Sequence, residues 1–142
     1  MIANVEPRLL IVEDNPEDLE LILREFADQG FAQDIDVVRD GDEALDYLFR
    51  RGAHAHRSAA IDLRAVLLDL KLPKLDGLAV LKRIRGSPDL LEVPVIVLTS
   101  SSRDADIVES YGLGATTYLV KPVEAEKFTD AAARIIQMLR PR

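Results

Sequence analysis

The sequence predicts a doubly wound α/β fold: a five-stranded parallel sheet with helices on both faces. Short continuous apolar runs (Leu9–Val12, Val66–Leu68, Val95–Leu98 and Tyr118–Val120) are bounded by polar residues or turn formers. That is the pattern of strands buried on both faces. Helical periodicity fills the segments between the runs, as in successive βαβ units. Polar side chains stand where the runs stop: Glu13 and Asp14, Asp69, Thr99 and Lys121. In an open parallel sheet the carboxyl ends of the strands share one crevice, so the fold gathers these residues together.

The elements follow in order. After the first run, Asn15 caps a helix, Pro16 takes its first position, and Glu17 and Asp18 suit the positive end of its dipole. Leu19, Ile22, Leu23 and Phe26 form its core-facing stripe, and Gly30 stops it. A second strand, Ile35–Val38, leads to Asp40 and Glu43, which have capping-box spacing before a helix through Leu48 that ends near Gly52. Residues 52–62 show no period and read as a surface loop. His54 and His56 lie in it with His-x-His spacing, but no third ligand is nearby, so they read as solvated.

The third strand is expected over about 64–68. A turn at Leu72-Pro73 and Asp76-Gly77 precedes a helix carrying Leu78, Leu81 and Ile84, which Gly86-Ser87-Pro88 ends. Pro94 opens the fourth strand, where proline is tolerated. Ser101 and Asp104 suggest a capped helix to Tyr111, broken by Gly112 and Gly114. After the fifth strand a last helix places Phe128, Ala132, Ile135 and Leu139 on one face and ends at Pro141. The expectation is one domain over 1–142, its core about 8–140, with no second domain.

Composition narrows the function. A net charge of −7 argues against a nucleic-acid backbone as the main partner. With no cysteine, disulfides and thiolate metal sites are excluded, which fits a cytoplasmic protein. Met1–Pro7 does not resemble a signal peptide, and no apolar run approaches the roughly 20 residues a membrane helix needs.

Three ionised carboxylates in one crevice repel: a unit pair at 4 Å costs about 4 kcal/mol at an effective dielectric near 20. Either one acid keeps its proton or a cation settles among them. Hard oxygen ligands with room for water favour Mg²⁺. A carboxylate can also be the nucleophile that forms an aspartyl-phosphate. Phosphoryl transfer asks mainly for in-line positioning and positive charge on the equatorial oxygens. Glu13 and Asp14 with a metal, Thr99 and Lys121 around a nucleophilic Asp69 would meet that demand. Each residue also has a plainer reading. The acid pair suits a helix start, Asp69 a turn, Thr99 a local hydrogen bond, and Lys121 an exposed surface. Only their joint placement at four strand ends points to a site.

Val12-Glu13-Asp14-Asn15-Pro16, Leu68-Asp69-Leu70-Lys71-Leu72-Pro73 with Asp76-Gly77, Leu98-Thr99-Ser100 and Lys121-Pro122 resemble the receiver domain of two-component response regulators. The resemblance covers nearly the whole chain and implies a flavodoxin-like sheet of order 2-1-3-4-5. It implies Asp69 as phosphoacceptor, with Mg²⁺ held by Glu13, Asp14, Asp69 and the backbone carbonyl of Lys71. Thr99 and Tyr118 would be the switch pair, and Lys121 the phosphate-contacting lysine, with a cis peptide to Pro122. Lys71 and Ser101 would tune access of the hydrolytic water, with Lys71 slowing hydrolysis. The implied protein is a phosphoacceptor signalling protein rather than an enzyme acting on other substrates. Its implied partner is a sensor histidine kinase.

A narrower resemblance lies in Asp40-Gly41-Asp42-Glu43-Ala44-Leu45-Asp46-Tyr47-Leu48, Leu98-Thr99-Ser100-Ser101, Glu109-Ser110-Tyr111-Gly112-Leu113-Gly114-Ala115 and Lys121-Pro122-Val123. These are similar to stand-alone receivers that pair with bacterial and cyanobacterial phytochrome kinases. That implies a bacteriophytochrome partner, no output domain, and a homodimer through the last helices and strand. Thr116-Thr117 stands where that group has Asn-Ser, and the segment after Phe128 lacks its aromatic ending.

Other functions on this fold fit less well. A flavin carrier wants a Ser/Thr/Gly-rich loop after the first strand, where Glu13 and Asp14 would repel a phosphate. An adaptor with a vestigial site has no need of Asp69, Thr99 and Lys121 together. A phosphatase would want a general acid two residues after Asp69, where Lys71 stands.

Overall fold

Alternate residues of the central strands pack into two separate cores, which is why their sequences are apolar without alternation. In the computed structural model, which describes residues 7–55, 62–99, 112–121 and 125–139, the strands are β1 (Pro7–Val12), β2 (Ile35–Val38), β3 (Asp62–Asp69), β4 (Val95–Thr99) and β5 (Thr117–Val120). All neighbours are parallel, in the order β2-β1-β3-β4-β5 that the receiver resemblance implies. The α-helices among the described residues are α1 (Pro16–Asp28), α2 (Gly41–Leu48), α3 (Gly77–Arg85) and α4 (Ala125–Leu139).

Leu10, Val12, Val66, Leu68, Val95 and Val97 face one core with α2 and α3. Leu9, Ile11, Ala65, Leu67, Ile96 and Leu98 face the other with α1 and α4. Phe26 of α1 meets Phe128 of α4 edge-to-face, ring centres 5.9 Å apart, and Ala132, Ile135 and Leu139 are buried with it.

Asn15 caps α1 by accepting from Asp18 N at 3.0 Å, and Gly30 beyond its end adopts φ +81°. Asp40 and Asp76 cap α2 and α3 in the same way. The reciprocal half of the expected capping box is displaced by one residue: Glu43 accepts from Arg39 N, not from Asp40 N.

Three expectations need correction. β3 begins at Asp62, before the expected start, because Pro7 and Arg8 continue the pairing across a bulge. Residues 52–54 form a 3₁₀ turn, and His54 is half-buried, 3.3 Å from Glu43 and edge-on to Tyr47. Val80, not Leu78, completes the buried stripe of α3. The helix expected from Ser101 and Asp104 to Tyr111, with Ser100, His56, Pro122, Val123 and Pro141, lies outside the described residues, as do residues 1–6. No helix among the described residues is long and apolar enough to cross a membrane.

Candidate functional site

The register of the sheet brings the strand ends level. Val12 pairs with Leu68, Asp69 with Leu98, and Thr99 with Val120, so the residues at those ends converge on one edge of the sheet. Backbone bonds from Leu70 N to Leu98 O (2.9 Å) and from Lys121 N to Thr99 O (2.7 Å) fix the chain as it leaves β3 and β5. All the side chains singled out at the strand ends gather in this crevice.

Glu13, Asp69 and Thr99 are the buried polar residues among those described, whereas Asp14 is exposed. Lys121 Nζ lies 2.8 Å from Glu13 Oε1, 2.9 Å from Asp18 Oδ2 and 3.0 Å from Asp69 Oδ2. The other oxygen of Asp69 accepts from Lys71 N at 2.9 Å, which fixes the carboxylate plane. Asn15 N donates to Glu13 Oε2 at 3.2 Å. Thr99 and Asp14 line an adjoining pocket of about 540 Å³ together with Lys71, Leu72, Pro73 and Leu78. The off-stripe position of Leu78 thus has a use beside the site.

Glycine is required at Gly77. A Cβ there would sit 2.2 Å from the carbonyl oxygen of Asp69 and 2.5 Å from Leu70 Cα, so only a bare Cα lets α3 start against the acid. Tyr118 is half-buried against the core that holds Val97, its register partner on β4. Thr99 is two residues beyond Val97, so Thr99 and Tyr118 share a face of the sheet.

Burial pushes the pKa of Glu13 up to about 7, with Asp69 adding to the shift and Lys121 opposing it. Burial alone would lower the pKa of Lys121, but Glu13, Asp18 and Asp69 outweigh it and hold the ammonium charged well beyond the ordinary lysine range. Carboxylate oxygens of Glu13, Asp14 and Asp69 lie within 4.8 Å of one another. Glu13 Oε1 is buried, close to Lys121 yet with no aligned hydrogen bond among the described residues. Hard oxygen donors at this spacing fit a divalent cation.

Asp18 is the member that the sequence reading left at the helix dipole. It stands in the first turn of α1, and no local spacing in the sequence ties it to Lys121 at the end of β5.

The chain matches the response regulator receiver domain over residues 9–133 and belongs to that family. Receiver domains are signalling modules that partner with histidine kinases and bind Mg²⁺ at an acidic pocket. Among solved structures it is similar to the bacteriophytochrome response regulator AtBRR (47% identity, TM-score 0.76, covering 96% of this chain and 94% of that one). It is similar also to the phosphorylated cyanobacterial phytochrome response regulator RcpA (34%, TM-score 0.82, 95% and 94%). A third likeness is to the Mn²⁺-bound form of response regulator Rcp1 (31%, TM-score 0.82, 96% of each chain). Among curated proteins, it is 44% identical to the probable methanogenesis regulatory protein FilR2 of Methanothrix harundinacea, over 83% of this chain and 74% of that one. It spans about half, 47%, of the transcriptional regulatory protein DltR of Streptococcus agalactiae.

Proposed function

We propose that this chain is a response regulator whose Asp69 accepts a phosphoryl group from a histidine kinase in a Mg²⁺-dependent reaction. The observation that carries this reading is the buried Asp69 carboxylate, held by Lys71 N–H on one oxygen and by Lys121 on the other, beside two further acids. Glu13, Asp14, Asp69 and the Lys71 carbonyl are the residues that would hold the metal. When bound, Mg²⁺ supplies positive charge against the phosphoryl oxygens.

The chain's own residues do the rest. Asp69 attacks phosphorus, forming its O–P bond as the P–N bond to the donor histidine breaks, and the histidine leaves with that electron pair. Lys121 is already in contact with the acceptor and neutralises oxygens as charge builds on them. The acylphosphate adds about 1.5 to 2 negative charges and three acceptor oxygens, enough to draw Thr99 inward. Tyr118, on the same face of the sheet, then repacks and alters the surface that the last strand and helix present. That surface is read by a partner or by a second copy of this chain.

The likeness to AtBRR and RcpA supports a phytochrome-type kinase as donor and a single-domain regulator over 1–142. A soluble cytoplasmic protein suits such a kinase, and nucleic acid has no part in this reading. Phosphotransfer from a purified phytochrome kinase tests it. Asp69 should be labelled with Mg²⁺ present and unlabelled in EDTA. Transfer from unrelated kinases only would remove the light-sensing part, and labelling indifferent to EDTA would remove the metal.

A further inference from the structure

Lys121 is the one cation among the described residues in contact with Asp69, and it is shared. Its ammonium has three N–H donors and lies within 3.0 Å of three carboxylates, those of Glu13, Asp18 and Asp69. A phosphoryl group on Asp69 needs the same positive charge, so the contacts made in the resting protein compete with it.

The three contacts are not equally easy to give up. The side chain of Glu13 is 0% exposed, so no water replaces a lost cation there. Asp69 is the residue that carries the new group. Asp18 stands on the first turn of α1 with its side chain 20% exposed, and solvent can take the place of the ammonium. Its main chain is fixed by the Asn15 cap, so only side-chain rotation is left for the carboxylate to follow a lysine that moves toward the phosphoryl oxygens.

We infer that Asp18 is a positioning residue that holds Lys121 in the resting state and is the contact surrendered on phosphorylation. It therefore acts as a brake on the phosphorylated state. This rests on the phosphoacceptor reading of Asp69.

The test uses the whole chain and two probes. In the metal-free protein, the Lys121 ammonium signal in ¹⁵N NMR should be protected from solvent exchange, less so in Asp18→Asn, and protected again in Asp18→Glu. With Mg²⁺ present, beryllofluoride should bind Asp18→Asn about two- to five-fold more tightly than wild type, the range that a partly exposed ion pair spans. Asp18→Glu should return toward wild type. A role confined to the dipole of α1 would change thermal stability but neither of these readouts. Wild-type binding with no gain in Asp18→Asn, or an unchanged Lys121 signal, overturns the inference alone. Failure of the wild type to bind beryllofluoride overturns the phosphoacceptor reading and this inference with it.

Discussion

Glu13 has no exposed surface, and its raised pKa, about 7, has a thermodynamic consequence. The unfolded chain releases this proton near the ordinary value of 4.5, while the native state holds it to about 7. Between those values the native state binds more protons, so stability falls as pH rises, and the loss is complete above the native pKa. Lys121 stays charged throughout and adds no slope there. The expected decline is on the order of 2–3 kcal/mol in metal-free protein, measured as the difference in urea stability between about pH 5 and about pH 8. Glu13→Gln should flatten that slope, and a slope of the opposite sign would contradict the burial argument. Lys71 poses a second question at this scale. Its backbone is fixed on Asp69 while its side chain is exposed beside the pocket. If the long cation shields the acylphosphate, Lys71→Ala should shorten its lifetime, and a longer lifetime in the variant would reverse that assignment.

The elements show where close approach sets the site. Gly77→Ala forces a methyl group against the Asp69 carbonyl and should destabilise by about 1–3 kcal/mol or more. It should also displace the acid and slow labelling. Gly112→Ala, with nothing among the described residues within 4 Å of its Cβ, is the control and should leave both nearly unchanged. Local chemistry also explains what could be read in advance. α1 was legible because its cap, its first-position proline and its apolar stripe are all encoded within the helix itself. The early start of β3 was not, because Asp62-Leu63 continues no apolar run and becomes strand only by pairing with Pro7 and Arg8, far away in sequence. His54 was misread for a related reason: its partners Glu43 and Tyr47 lie on α2. Five of the site residues, Glu13, Asp14, Asp69, Thr99 and Lys121, were visible at four strand ends. The role of Asp18 as a partner of Lys121 was not, because one turn of helix and a distant strand had to be docked first.

For the whole molecule, two cores on opposite faces of one sheet hold the strands in register, and α1 packs on α4 through Phe26 and Phe128. Phe26→Ala removes a fully buried ring packed on Phe128 and should cost about 3–5 kcal/mol in a urea melt. A loss below about 1 kcal/mol would show that this core is not continuous between the two helices. Thr99 and Tyr118 lie on the paired strands β4 and β5, and under the proposed switch occupancy of Asp69 would be felt along that edge. The central claim is that Asp69 is the acceptor in this crevice. It is tested most directly by intact-mass analysis after incubation with acetyl phosphate and Mg²⁺. The wild type should gain the mass of one phosphoryl group and Asp69→Asn none. An equal increase in the variant would contradict it.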